Sequence, residues 1–381
     1  MEAEALVGYG ESNVFVLDTR GMRPPPLSIA DVSFGSPPYQ DSTDSLSVIL
    51  WLSVERDAHD VSIAVYLDSP EDEVPPSYGD LDADGDGDID VLSTSGWTLV
   101  AKVPITPRWE GHVIGVSQVV ADGISYPGPG DLARVSAYFV RSGTRPYSVR
   151  VDGYSFPNPK GYSFRQFMED FSEFMEYPPA GVLFAIFSAT AGWQGRCLGM
   201  ATTSNLYFED PSLKPVDKPT FEMTKDDPGV LAGINRYFIV MNMRIGWDVE
   251  KYLYSDMDGF VEDAEDLLKG GRPFVLLLKK KGEAGGHTVS VYKLVEDMTR
   301  RRAFLVLYDN NFEGRTMYAR VEMRNNSFSY GLYGVPGIFV QEELKAPQVW
   351  NIYRRAKQHI IASLYEAGKQ LIGHALSLIH I

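Results

Sequence analysis

The spacing of apolar residues changes along this chain, and the change limits what it can fold into. In the first 153 residues the spacing is two. Leu46, Val48, Leu50, Leu52 and Val54 alternate with other residues, as do Val61, Ile63, Val65 and Leu67. Val135, Ala137 and Phe139 follow, then Tyr147, Val149 and Val151. A period of two puts every second side chain on one face of a strand, so each strand is half-buried. Turn-rich pieces such as Arg23-Pro24-Pro25-Pro26 and Tyr126-Pro127-Gly128-Pro129-Gly130 punctuate these strands, and there is no internal repeat. Residues 1–153 are therefore expected to form an all-β antiparallel sandwich.

From Tyr154 to Lys160 the chain reads as a linker, and beyond it the period becomes helical. Ser163 can cap a helix with Gln166 three residues on. Phe164, Phe167, Met168, Phe171, Phe174 and Met175 form an apolar stripe best read as core packing, and Tyr177-Pro178-Pro179 ends it. Gly229–Met243 and Met257–Leu268 read as further helices, the second closed by Gly270-Gly271. Strands follow at Phe274–Lys280, His287–Tyr292 and Arg302–Tyr308, with a fourth expected over Phe328–Tyr333. Helices first and antiparallel strands second define an α+β domain, placed at 154–340. Residues 341–375 read as a truncated amphipathic helical tail, and 376–381 as a sequencing artefact.

With 381 residues, 44% of them hydrophobic and 12% aromatic, the chain has material for two or three domains. The net charge of −16 argues against nucleic acid as the main partner, because phosphate binding needs basic patches. No apolar run is long enough for a membrane span, and Met1–Leu6 carries no basic and apolar signal segment. A single cysteine excludes an internal disulfide framework.

One acidic stretch stands out in the β region, Asp80-Leu81-Asp82-Ala83-Asp84-Gly85-Asp86-Gly87-Asp88-Ile89-Asp90. Carboxylates at every second position repel without a cation. Counted from Asp82, carboxylates fall at positions 1, 3 and 5 (Asp82, Asp84, Asp86), with Gly87 at the sharp turn. Asp88 offers a backbone carbonyl at 7 and Asp90 takes position 9, the register of calcium loops. Position 12 is Ser93 rather than a bidentate Glu, and the flanks read as β. The expectation is a structural calcium ion that holds a long inter-strand loop, with Glu71 or Asp72 as further ligand candidates. The plainer alternative is a solvated acidic loop.

Cys197, the only cysteine, follows the glycine-broken Gly192-Trp193-Gln194-Gly195-Arg196 and precedes a segment able to begin a helix. A thiol at a helix N-terminus feels the positive end of the dipole, which favours the thiolate. A lone cysteine is also the sequence of a small buried hydrophobe. A nucleophilic thiol needs a base, and His287 is the one histidine of the α+β domain. Asp309-Asn310-Asn311 ends the following strand. If the two strands form a hairpin, that carboxylate or amide meets the imidazole. Arg196 reads equally as an aid to thiol ionisation or as a surface charge. Trp193 reads as core more readily than as cleft wall, and Lys279-Lys280-Lys281 as a solvated strand end.

A helix-starting Gly-x-Cys-x-Gly-Met, an apolar strand, Gly-His-x-Val-x-x-Tyr and Tyr-Asp-x-Asn together resemble the papain-like cysteine peptidase superfamily over residues 160–335. The resemblance is closer to its bacterial and archaeal branches, including those akin to bacteriocin-processing peptidases, than to papain. It implies Cys197 as nucleophile, His287 as general base and acid, and Asp309 as orienting residue, with Asn311 the fallback. Gln194 is the candidate oxyanion glutamine, though closer to the cysteine than in papain. Papain's second cysteine and its Asn-Ser-Trp-Gly segment have no counterpart. The implied activity is peptide-bond cleavage through a thioester, with a peptide or protein substrate and no catalytic cofactor. Alternatives are an amidase or transglutaminase with the same triad, or a non-catalytic surface protein whose β-sandwich binds glycan or protein. A secreted or cell-surface location is expected, with the cytoplasm as the alternative.

Overall fold

A computed structural model of the chain describes residues 27–34, 46–54, 57–74, 81–93, 98–105, 109–143, 145–174, 181, 183–185, 195–247, 249–281, 286–355, 357–358 and 362. The chain is mixed α/β, with a large antiparallel sheet accompanied by helices. Among the described residues no helix is long and apolar enough to cross a membrane. The chain divides into two compact units. The first is Met1–Phe139 with Leu294–Phe304 and Val321–Asn325, and the second is the remainder. The segment 140–153, read above with the β region, belongs to the second unit.

In the first unit, strands β1 (Leu27–Phe34), β2 (Leu46–Val54) and β6 (Thr98–Ile105) form an antiparallel sheet in the order β1-β2-β6. Strand β3 (Ala58–Leu67) pairs with the short β4 (Glu73–Val74) and β5 (Ile89–Leu92), and with β7 (Trp109–Ala121). β7 in turn pairs with β8 (Ile124–Phe139). The period-two positions Val61, Ile63 and Val65 are buried as the alternation requires. Elsewhere both faces are covered. Val48, Ile49 and Leu50 are all buried, and so are Val135 through Phe139. Strict alternation therefore underestimates how much of these strands is core.

The second unit begins with a small hairpin, β9 (Arg141–Ser142) against β10 (Arg145–Pro146). The strand expected over Tyr147, Val149 and Val151 is instead a single helical turn, α1 (Val149–Asp152). The buried Asp152 carboxylate causes this. It accepts the Ser148 N–H at 2.9 Å and both guanidinium nitrogens of Arg145 at 2.8 Å, which closes the chain into a turn. Helix α2 (Phe164–Phe171) starts at the expected Ser163–Gln166 capping box. Its Phe167 and Phe171 are fully buried, while Phe164 is 45% exposed and lies outside the core stripe.

Helix α3 (Cys197–Glu209) is buried at every position from Leu198 to Phe208. Such a helix must satisfy its polar side chains internally. Thr203 meets the Tyr154 hydroxyl at 2.9 Å, Ser204 the Tyr147 hydroxyl at 2.5 Å, and Asn205 the Gln341 carbonyl oxygen at 3.1 Å. Helix α4 (Val230–Trp247) packs close against it. A Cβ on Gly199 would lie 2.1 Å from the Ile234 carbonyl oxygen, so only glycine fits. Helix α5 (Met257–Lys269) is capped by Asp256 and ends at Gly270.

Strand β11 (Phe274–Lys279) lies between β12 (Gly286–Asp297) and β16 (Val335–Phe339), antiparallel to both. β12 turns back into β13 (Arg302–Tyr308), which borders β14 (Thr316–Glu322) and then β15 (Ser327–Ser329). The strand expected over Phe328–Tyr333 is thus shorter. Tyr330 and Tyr333 close a turn by mutual backbone hydrogen bonds of 3.2 and 2.9 Å. A further helix covers 346–355, burying Val349 and Ile352 as the pattern anticipates, whereas Ala356, Ile360 and most of the expected tail lie outside the described residues.

Candidate active site

Cys197 is the first residue of α3 and is partly buried. The residue before it, Arg196, has φ −120° and ψ 33°, and its side chain does not cap the helix. Arg196 takes neither role considered for it. It is buried, its guanidinium donates to the Gly161 carbonyl and sits 5.2 Å over the Tyr162 ring, and its N–H donates to Asn158 Oδ1 at 2.6 Å. It anchors the approach to the nucleophile on the 156–162 segment. Trp193 and Gln194 lie outside the described residues.

His287 is the second residue of β12, opposite Leu278 of β11. The glycine before it is dictated by a close approach, since a Cβ on Gly286 would sit 2.6 Å from the Leu278 carbonyl oxygen. Its partner Asp309 follows the last residue of β13, so the β12–β13 hairpin carries the two together. His287 Nε2 lies 2.8 Å from Asp309 Oδ1, with the histidine 6% and the aspartate 1% exposed. The Asn311 side-chain amide nitrogen is 3.3 Å from the same ring nitrogen. His287 and the Cys197 thiol are near enough for each to favour the other's charged form.

Burial opposes charge on each of these groups, yet the neighbours prevail. The hydrogen bond and charge of His287, with help from Thr288, hold the Cys197 thiol below its ordinary pKa. Asp309 and Cys197 raise His287 to about 10 against its burial. For Asp309 too, hydrogen bonds from His287, Tyr330 and the Asn311 N–H outweigh burial and hold the carboxyl below its ordinary value. These shifts favour thiolate, imidazolium and carboxylate side by side.

Three residues that spacing alone did not single out complete the site. Asn310 donates its amide to the Cys197 carbonyl at 3.2 Å and to the Thr288 carbonyl at 3.1 Å, bridging nucleophile helix and histidine strand. Tyr330 donates its hydroxyl to Asp309 Oδ2 at 2.5 Å. The Tyr333 ring stacks on His287 with centroids 6.0 Å apart and planes at 29°. Asn310 stood inside the Asp-Asn-Asn triplet as a readable polar cluster. The two tyrosines reach the site only through a turn that no periodicity announces.

The acidic loop belongs to the first unit. Carboxylate oxygens of Asp82, Asp84 and Asp86 lie within 4.8 Å of one another. Asp82 also accepts N–H groups of Gly85 at 2.7 Å and Gly87 at 3.1 Å, with Gly87 at φ 95° in the sharp turn. Burial and the charges of Asp86, Asp60, Asp82 and Asp84 raise the Asp88 carboxyl above its ordinary value, the mark of crowded like charges. The Asp88 and Asp90 carboxylates do not join the triplet, and Asp90 instead accepts the Ala83 N–H at 2.6 Å.

Compared with known proteins, the chain matches no family model and no curated sequence.

Proposed function

We propose that this chain is a papain-like cysteine hydrolase that cleaves peptide bonds. The observation that supports this most is the His287–Asp309 hydrogen bond beside Cys197, whose thiol and His287 favour each other's charged form, the three residues being drawn from a helix start, a strand start and a strand end. The Cys197 thiolate attacks the scissile carbonyl carbon, and the oxygen takes up the negative charge. The Cys197 N–H at the uncapped start of α3, with Gln194 as second donor, stabilises that oxyanion. His287 then gives a ring proton to the leaving amine, and the C–N bond breaks to leave a thioester on Cys197. Water attacks the thioester, His287 takes its proton, and the acid product leaves with the thiolate restored. Asp309 keeps the ring oriented and stabilises its charge throughout. The mutual stabilisation of charge between the Cys197 thiol and His287 favours this reading over a non-catalytic scaffold.

The test is turnover of a mixed peptide library, followed by mass spectrometry, by the full chain and by Cys197→Ala. Cleavage by the first and none by the second is expected. Equal cleavage by both would refute the mechanism.

In the same reading Asp82, Asp84 and Asp86 hold a structural calcium ion whose charge relieves their repulsion. This fits the convergence of three carboxylates on one loop.

A further inference from the structure

Asp309 is held by more than the histidine it orients. Its Oδ1 faces His287 Nε2 and accepts the Asn311 N–H, both at 2.8 Å. That leaves Oδ2, which a buried carboxylate cannot leave unmet without cost. The group that meets it is the Tyr330 hydroxyl, at 2.5 Å and from a separate turn. Tyr330 is itself 8% exposed, and its ring stacks on Tyr333 with centroids 6.5 Å apart and planes at 17°. Tyr333 stacks in turn on the His287 ring. One short turn thus touches both the carboxylate and the imidazole.

From this geometry we infer that Tyr330 is a fourth member of the site, a positioning residue that fixes which oxygen of Asp309 faces His287 and keeps that carboxyl ionised. The inference rests on the proposed triad for its catalytic meaning, but not for its test. A phenol O–H donates a stronger hydrogen bond to an ionised carboxylate than to a neutral carboxyl. It therefore favours the carboxylate. With Oδ2 committed to Tyr330, the carboxylate cannot swing and present both oxygens in turn to the ring. The turn is well placed for the task. It is closed by its own backbone hydrogen bonds and tied to β11 through the Gly334 N–H on the Lys279 carbonyl at 3.2 Å.

The experiment follows the proton between His287 and Asp309 by its downfield NMR resonance while the full chain is acidified, in the unmodified protein and in Tyr330→Phe. Substitution removes one hydrogen bond from the ionised form. The pH at which Asp309 takes up a proton and the resonance disappears is expected to rise by about one to two units. A midpoint identical in the two proteins would overturn the inference, since a phenyl ring fills the same space. Should Tyr330→Phe fail to fold, the unmodified protein labelled with 13C at tyrosine Cζ supplies the answer. The Tyr330 signal is expected to move with Asp309 protonation, and a signal insensitive to it overturns the inference. Neither readout involves turnover. A chain that cleaves nothing yet shows the shift would contradict the enzyme reading alone.

Discussion

Cys197, His287 and Asp309 shift one another's ionisation, and the signs of their shifts define a pH window. His287 is raised to about 10, so its contribution to stability is complete below about 6.5, the ordinary imidazole value, and is lost as pH rises through its folded value. Cys197 and Asp309 are lowered, so their contributions are present above their unfolded values and vanish as pH falls through their folded ones. The thiolate–imidazolium pair is therefore the resting state from the depressed thiol pKa up to about 10. Peptide cleavage, which needs the imidazolium as acid, is expected to decline on the alkaline side as His287 deprotonates. A pH–rate profile checks this.

At the scale of elements, the site depends on how closely α3 lies against its neighbours. Gly199 sits two residues beyond the nucleophile, and a side chain there would run into the backbone of α4. Gly199→Ala is expected to destabilise the chain by on the order of 1–3 kcal/mol, and to slow cleavage by displacing the start of α3. Denaturant melts and kcat together check both effects. Much of this arrangement could be read in advance. The Ser163–Gln166 box started α2, the apolar run at 274–279 made β11, and the His287-to-Asp309 spacing matched a hairpin. What escaped depended on distant partners. Val149 and Val151 alternate like a strand, but the Asp152 carboxylate folds them into a turn. Thr316–Glu322 became β14 although its charged residues gave no apolar pattern. Tyr330 could not be read as a site residue, because its role is set by a turn contact across 21 positions.

At the scale of the whole molecule, the two compact units carry different side-chain clusters, Cys197, His287 and Asp309 in one and a carboxylate triplet in the other. If the triplet holds calcium, binding stabilises only the folded loop. The gain grows with free ion and reaches about 2.7 kcal/mol at one hundred times Kd. A rise of the thermal midpoint by several degrees, reversed by chelator and absent in an Asp84→Ala, Asp86→Ala variant, is expected in scanning calorimetry. No shift with calcium would leave the loop merely acidic. The net charge of −16 raises the local attraction for cations generally, so the same scan with magnesium is the control.

The central claim is that Cys197 rests as a thiolate paired with His287. It is tested most directly by the rate of Cys197 alkylation with iodoacetamide as a function of pH. The lowered thiol predicts that the rate rises and levels off at lower pH in the unmodified protein than in His287→Ala. An ordinary thiol of pKa near 9 is only about 0.1% ionised at pH 6. A wild-type rate that climbs about tenfold per pH unit toward 9, unchanged by removal of His287, would contradict the account.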